Sequence, residues 1–140
     1  MRTVEDGVAF AAKCWAEGYN CAESTLRGVC FAREVPLTDS AKRMATPFGG
    51  GIGRSEDLCG ALTGGVLGIG ATLGRLTLAD DKLKSYESAK RFYDAFRERF
   101  GAVKCCDLNK GDFKSPEHRE RCGEFVREAT RLALESMTRH

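Results

Sequence analysis

Apolar residues recur three and four positions apart along most of this 140-residue chain, and nowhere do apolar and polar residues alternate over the length of a strand. Spacings of three and four place apolar side chains on one face of an α-helix, whereas alternation would place them on one face of a strand. The pattern therefore predicts an all-α fold, a single compact bundle of about five helices. The chain is long enough for one core and has no linker, so residues 1–140 are expected to form one domain.

Capping residues and helix-stopping glycines predict where the helices begin and end. The first helix is expected to begin after Thr3 and to stop at Gly18. Asn20 caps the second helix, which makes Cys21 its first helical residue. Three further helices are predicted over residues 39–45, 79–100 and 116–137. On the helix over residues 79–100, the side chains expected to face the core are those of Leu83, Tyr86, Ala89, Tyr93, Phe96 and Phe100.

The uncharged segment 58–74 predicts a glycine-rich helix buried at the centre of the bundle. Ser55 is its expected cap, and its predicted core-facing residues are Leu58, Leu62, Val66, Ile69 and Leu73. On another face Gly60, Gly64 and Gly68 recur every four residues, which lets the backbone of a neighbouring helix approach closely. Because pairing through this smooth face would bury more surface, we also predict a homodimer.

The charge balance and the lengths of the apolar runs exclude several classes of protein. Lys and Arg number 22 against 20 Asp and Glu, a net charge of +2 that is too balanced for a nucleic-acid-binding surface. The uncharged segment of seventeen residues is shorter than the ~20 needed to cross a bilayer, so no membrane insertion is expected. The first residues lack a basic patch followed by an apolar run, which predicts a cytoplasmic protein without a signal peptide.

Cysteine is unusually frequent, with seven residues in the chain. In a reducing compartment such a number favours metal ligation or thiol chemistry over structural disulfides. Cys21 and Cys59 are predicted in the first turns of helices, where unpaired N–H groups and the helix dipole lower a thiol pKa. Cys105 and Cys106 are predicted on a loop. The two cysteines nearest apolar stripes, Cys14 and Cys30, are interpreted as core residues.

Several motifs occur in order along the chain: GYNCAE at residues 18–23, FGGGIG at 48–53, CGALTG at 59–64, and then Cys105 and Cys122. Together they resemble the C_GCAxxG_C_C family of redox-active proteins, bacterial and archaeal domains of about this length. The resemblance covers nearly the whole chain and implies that residues 1–140 are one helical domain of this type.

The resemblance implies redox activity through four cysteines, which fall on Cys21, Cys59, Cys105 and Cys122. Cys106 is a substitute for Cys105 in this pattern. A similar domain in split-Soret cytochromes holds an iron–sulfur cluster, which implies a four-thiolate site for a cluster such as 2Fe-2S, or for another cysteine-ligated metal, that exchanges electrons with an unidentified redox partner protein. Such a cluster is expected to be lost during aerobic purification.

Two alternatives to a metal site remain open. The protein is a metal-free thiol–disulfide oxidoreductase with Cys21 or Cys59 as the redox thiol, or a non-catalytic helical module whose glycine face mediates assembly. The glycine loop at residues 48–54 either donates N–H groups to cluster sulfurs or is a tight turn packed on a helix. His118, four residues before Cys122, is either a proton donor or extra ligand, or an exposed first-turn residue.

Overall fold

The computed structural model describes residues 2–138 and contains seven α-helices, which confirms the all-α prediction. The helices outnumber the predicted five, and one of them, over residues 105–109, forms where a loop was predicted for Cys105 and Cys106. The helices are α1 (Val4–Glu17), α2 (Cys21–Arg33), α3 (Asp39–Ala45), α4 (Gly60–Leu73), α5 (Leu83–Phe100), α6 (Cys105–Asn109) and α7 (Pro116–Met137). No described residue belongs to a strand, and no helix among residues 2–138 is long and apolar enough to cross a membrane.

The predicted N-caps are confirmed at α1, α2 and α7, where Thr3, Asn20 and Ser115 accept backbone hydrogen bonds. At α1 the Thr3 hydroxyl accepts a hydrogen bond from the Asp6 N–H, and the Asp6 carboxylate accepts one from the Thr3 N–H. Asn20 and Glu23 form the same reciprocal box at α2. These caps satisfy N–H groups that a helix leaves unpaired, so they fix Cys21 as the first residue of α2.

The glycine face of α4 is filled by α2 of the same chain. A Cβ built on Gly64 would lie 2.5 Å from the Ala22 carbonyl oxygen, and one built on Gly68 would lie 2.7 Å from the Cβ of Val29. The predicted close approach of helices is therefore confirmed, but within one molecule. Because α2 covers the glycine face, this face is not open to a second molecule. The homodimer stays a prediction, which sedimentation would test.

The start of α4 corrects the sequence prediction. The helix begins at Gly60 with Cys59 as its N-cap residue, and Ser55 does not cap it. Residues 56–59 instead lie beside residues 103–106 as a short antiparallel pair, in which Leu58 and Lys104 form an isolated bridge. Val66, predicted in the core, is 41% exposed because it lies on the outer side of α4.

Helix α5 begins at Leu83, four residues later than predicted, and its first turns project from the bundle. Leu83 and Tyr86, both expected in the core, are 54% and 63% exposed. Phe92 and Phe96 are instead fully buried, and the Phe96 ring contacts the rings of its neighbours in α5 and α7. The fully buried apolar residues of this helix thus lie in its second half, while Ser88 is the buried residue of its first half.

The glycine loop forms a tight left-handed turn beside α2. Every residue from Gly50 to Arg54 has a positive φ, between 57° and 71°. A Cβ on Gly51 would lie 2.6 Å from the Asp57 nitrogen, and one on Gly49 would lie 2.5 Å from the Asn20 side-chain nitrogen. The N–H groups of residues 53–57 donate to backbone carbonyls. These contacts favour the tight-turn interpretation, since such close packing admits only glycine.

Cys14 and Cys30 are buried in the core, as predicted. Burial raises the pKa of the Cys30 thiol from 9.0 to about 11. An unfolded chain ionises this thiol first, so the free energy of unfolding is expected to fall as the pH rises from 9 to 11. At about pH 10.5 the loss is about 2 kcal/mol. Urea unfolding at about pH 7.5 and 10.5 should show this extra drop in the native chain relative to Cys30→Ala, and equal drops would contradict it.

Candidate functional site

Four structural elements bring the four family cysteines to one end of the bundle. Cys21 is the first residue of α2, Cys59 is the N-cap of α4, Cys105 opens α6, and Cys122 lies in the second turn of α7. Cys59, Cys105 and Cys122 are buried, and Cys21 is half-buried. Three of the four thus stand at helix beginnings, where the chain can turn sharply into a common site.

Backbone hydrogen bonds hold the second and third cysteines beside each other. The Cys59 N–H donates to the Val103 carbonyl at 2.9 Å, and the Cys105 N–H donates to the Asp57 carbonyl at 2.6 Å. The Cys106 N–H extends this pairing to the Glu56 carbonyl at 3.1 Å. Because these bonds are made by the main chain, they set the separation of Cys59 and Cys105 independently of their side chains.

Helices α2 and α7 lie side by side and bring the first and fourth cysteines into contact. The two thiols lie close enough for each to change the pKa of the other. Seven residues further along α2, a Cβ on Gly28 would lie 3.1 Å from a methyl group of Thr130 on α7. The two helices therefore run in the same direction, with the cysteine pair at their N-terminal ends.

All four sulfurs are close enough to influence one another's ionisation. A negative charge on Cys59, Cys122 or Cys105 raises the pKa of Cys21, and charges on Cys105 and Cys122 raise that of Cys59. Cys122 likewise raises the pKa of Cys105. Each of the six pairs is thus coupled, which defines a four-cysteine cluster comprising Cys21, Cys59, Cys105 and Cys122.

The predicted low pKa values of Cys21 and Cys59 are wrong. The pKa of Cys21 is raised well above its ordinary value. The larger cause is its hydrogen bond with Cys122, and the second is burial. Burial raises the pKa of Cys59 to about 12, although the Ala61 and Leu62 N–H groups oppose the rise. At Cys59 loss of hydration therefore outweighs the helix N-terminus, and at Cys21 the interaction with Cys122 has a larger effect than loss of hydration.

Cys122 is the thiol whose pKa is lowered. The hydrogen bond donated by Cys21 stabilises the Cys122 thiolate, burial opposes this effect, and the positive charge of Arg121 adds to it. Cys21 and Cys122 therefore titrate as a pair. The first proton leaves this pair more readily than it would leave an isolated buried cysteine. The sequence offered no signal for this assignment, because it depends on contact between α2 and α7.

A polar network on α6 and α7 supports Cys105. The Asn109 side-chain nitrogen lies 3.6 Å from the Cys105 sulfur and 3.0 Å from its carbonyl oxygen. Arg121 donates to the Asn109 side-chain oxygen at 2.9 Å and to the Asp112 carbonyl at 3.2 Å. The pKa of Cys105 is raised by burial, and the Asn109 contact opposes that rise. Sequence reasoning missed Asn109 and Arg121, for which the only signal was the spacing of four between Cys105 and Asn109.

A cavity of about 620 Å³ opens beside the cluster. Cys21, Cys105 and Cys122 form part of its wall, while Cys59 lies outside the lining. The remaining lining residues are Trp15, Asn20, Gly50, Arg54, Glu56, Phe113, Lys114 and His118. Three thiols of the cluster are therefore reachable by a small molecule.

The other candidate residues differ in whether they line this cavity. The Cys106 sulfur points to Asp107 at 3.8 Å and does not line the cavity, so the geometry favours Cys105 over its substitute. His118 is half-buried in the lining and packs edge-on against Phe113, with 5.4 Å between ring centroids. Cys14 contributes to neither the cluster nor the cavity.

Among residues 2–138, no group of three or more His, Cys, Asp or Glu side chains is already spaced to hold a metal ion. The site in this structure is thus a group of four thiols at one end of a helical bundle.

Fold and site together define an all-α protein with a buried cysteine centre beside an accessible cavity. The pattern of the family described as "Putative redox-active protein (C_GCAxxG_C_C)" matches residues 19–136, and the chain belongs to this family. A relative from Archaeoglobus fulgidus, with the name "Uncharacterized protein", is 33% identical over 132 aligned residues, which cover 86% of each chain. No solved structure matches the chain significantly.

Proposed function

We propose that the four-cysteine cluster is a redox centre in which Cys21, Cys59, Cys105 and Cys122 hold an iron–sulfur cluster, for example of the 2Fe-2S type, or another thiolate-ligated metal. The observation that carries the proposal is the convergence of the four cysteines: main-chain bonds hold Cys59 beside Cys105, and Cys21, Cys105 and Cys122 line one cavity. Four thiolates repel one another in a buried site, and a cationic metal centre offsets that repulsion. Such a group, when bound, supplies electron transfer.

The residues fit this group in number and in chemistry. Four cysteines complete the ligand set of a small iron–sulfur cluster or of a tetrahedral metal. The Thr25 hydroxyl, one helical turn from Cys21 on the same face of α2, is fully buried and has no hydrogen-bond partner among the described residues. A donor of this kind is available to a charged sulfur.

Side chains around the cluster favour negative charge on the sulfurs. Asn109 donates towards Cys105, and Arg121 fixes the orientation of Asn109 while its charge stabilises the Cys122 thiolate. Hydrogen bonds and positive charge next to thiolate ligands raise the reduction potential of a centre that those ligands hold. The chain thus supplies the outer contacts as well as the ligands.

The test is anaerobic purification followed by iron and sulfide analysis and visible spectroscopy. Iron and sulfide in stoichiometric amounts, with a sulfur-to-iron charge-transfer band, are expected in the native chain. Cys59→Ser should abolish both, because it removes one ligand of four. Cys14→Ser is the matched control, a buried cysteine outside the cluster, and should keep full metal content. Metal-free native protein, or equal loss in both variants, would contradict the metal site.

A second candidate, thiol–disulfide exchange, is favoured by the hydrogen bond between Cys21 and Cys122. The Cys122 thiolate attacks one sulfur of a substrate disulfide, forming a mixed disulfide and releasing a thiolate. Cys21 then gives its proton to the thiolate released in the first step and attacks the Cys122 sulfur, which forms the protein disulfide and releases the second thiolate. The substrate gains two electrons and the protein dithiol loses two. Cys59, with its pKa raised to about 12, is a poor nucleophile for this reaction.

Alkylation of metal-free protein tests the role of Cys21 in this pair. In Cys21→Ala the donor is lost, so the pKa of Cys122 should rise and its reaction with iodoacetamide near pH 7 should slow severalfold. Cys21→Ser keeps a donor and should retain most of the native rate. Peptide mapping by mass spectrometry across a pH series identifies the modified thiol. Unchanged Cys122 reactivity in Cys21→Ala, or faster reaction at Cys59, would refute this pairing.

A further inference from the structure

The cavity beside the cluster has features that neither metal ligation nor disulfide exchange requires. Its volume of about 620 Å³ lies within the range of sites for small organic molecules, about 300–1,000 Å³. A metal centre held by four sulfurs needs far less space and no ring-lined wall. From this lining we infer that the cavity binds a small planar aromatic anion against the cysteine sulfurs.

The apolar part of the lining consists of aromatic rings and sulfur atoms, with no aliphatic side chain. Trp15 and Phe113 provide the large rings, and the His118 ring packs edge-on against Phe113. Aromatic faces and thiol sulfurs both make favourable contacts with a flat π-system, whereas an aliphatic chain gains only the burial of its surface. The lining therefore selects for a planar ring.

Two residues of α7 hold the Trp15 ring in place. Gly123 packs against its indole nitrogen, since a Cβ there would be 3.0 Å from that atom. Arg119 stacks on the ring at 4.9 Å and donates to the Trp15 carbonyl at 3.1 Å. A ring fixed in this way binds a ligand with little loss of side-chain entropy.

The charge of the lining indicates an anion. Arg54 and Lys114 reach the cavity, and neither has an ion-pair partner among residues 2–138. Glu56 is the one carboxylate of the lining, so two exposed cationic side chains accompany a single carboxylate. Arg54 belongs to the tight left-handed turn, whose backbone bonds hold it at the cavity mouth. An acidic group on the ring would complete these charges.

The inference rests on the proposed function only in treating this ligand as the substrate of the cysteine centre. Binding itself requires no electron transfer and no metal. It is therefore measurable in the full-length chain under reducing conditions, whatever the outcome of the metal analysis. Loss of metal in Cys59→Ser and loss of ligand in a lining variant are independent results.

Anthraquinone-2-sulfonate is a suitable probe, and 2-(hydroxymethyl)anthraquinone is its uncharged counterpart. The chain has one tryptophan, Trp15, so quenching of intrinsic fluorescence reports binding at this cavity directly. Saturable quenching by the sulfonate is expected, weakening as salt is added, with clearly weaker quenching by the uncharged compound. Non-saturable quenching, or equal affinity for both compounds, would overturn the inference.

Charge-removing variants locate the site. Arg54→Gln and Lys114→Gln should each raise the dissociation constant of the sulfonate roughly threefold to fivefold, and the double variant roughly tenfold. Arg75→Gln, at the far end of α4 from Cys59, is the matched control and should bind as the native chain does. Affinity for the uncharged compound should be the same in all of these proteins. Native-like sulfonate affinity in the double variant would also overturn the inference.

Discussion

Substitution of Gly64 by alanine is expected to destabilise the protein by about 3 kcal/mol, because overpacked sites of this kind have no room to relax. The new Cβ would meet the carbonyl oxygen, the Cα and the carbonyl carbon of Ala22, at 2.5, 2.9 and 3.1 Å. These are backbone atoms of α2, so relief requires the two helices to move apart. That movement also separates Cys59 from Cys21.

Gly70→Ala is the matched control on the same helix. A Cβ there meets nothing within 4 Å, so the variant should gain roughly 0.5–1 kcal/mol from reduced backbone freedom in the unfolded chain. Urea unfolding of both variants gives the comparison. Similar effects of the two substitutions would show that α4 and α2 are not packed through the glycine face.

Truncation of Phe96 to alanine is the second large effect, an expected loss of about 4 kcal/mol. Its ring is fully buried and lies 5.0 Å from the Phe100 ring, 6.3 Å from Phe92 and 6.5 Å from Phe125. Removing it leaves a cavity between α5 and α7 that these rigid rings cannot fill. Phe96→Leu retains most of the volume and should cost less than about 1.5 kcal/mol.

Tyr86→Ala tests the corrected limits of the core on the same helix. The side chain is 63% exposed, so the change should alter the free energy of unfolding by no more than about 0.5 kcal/mol. Thermal and urea unfolding would measure both α5 variants side by side. A loss at Tyr86 comparable to that at Phe96 would mean that the first turns of α5 are packed in solution.

Local signals in the sequence were sufficient to predict most helix limits. Thr3, Asn20 and Ser115 cap their helices as expected because a cap depends on residues within one turn of itself. The close approach along Gly60, Gly64 and Gly68 was also predictable, since a spacing of four defines a face whatever packs against it. The spacing did not predict that α2 of the same chain, and not a second molecule, packs against this face.

The errors share a different cause, which is competition from distant parts of the chain. Ser55 is an acceptable helix cap on local grounds. Residues 56–59 nevertheless pair with residues 103–106, and this pairing satisfies their backbone groups in place of a helix. The Cys59 pKa was predicted from the helix terminus alone, while its burial depends on packing by several elements. Likewise, α6 forms at Cys105 because the paired segment before it positions the chain for a turn of helix.

The membership of the four cysteines in one cluster was predictable only through the family resemblance. Their spacing in the sequence, with no two of them within a turn of each other, contains no compact ligand motif. The structure places them together and adds Asn109, Arg121 and the cavity lining, none of which the motif includes. Their role as metal ligands remains a prediction that elemental analysis tests.

The antiparallel pairing that joins residues 56–59 to residues 103–106 has a consequence for the order of folding. Cys59 and Cys105 are separated by two long helices in the chain, and Cys21 and Cys122 by most of the molecule. Contacts between such distant residues form slowly, after the intervening helices have packed. The four thiols of a newly made chain are thus kept apart until the bundle is complete. A ligand that bridges all four binds the folded protein more tightly than the unfolded chain, and this difference in binding energy stabilises the four joined helices against unfolding.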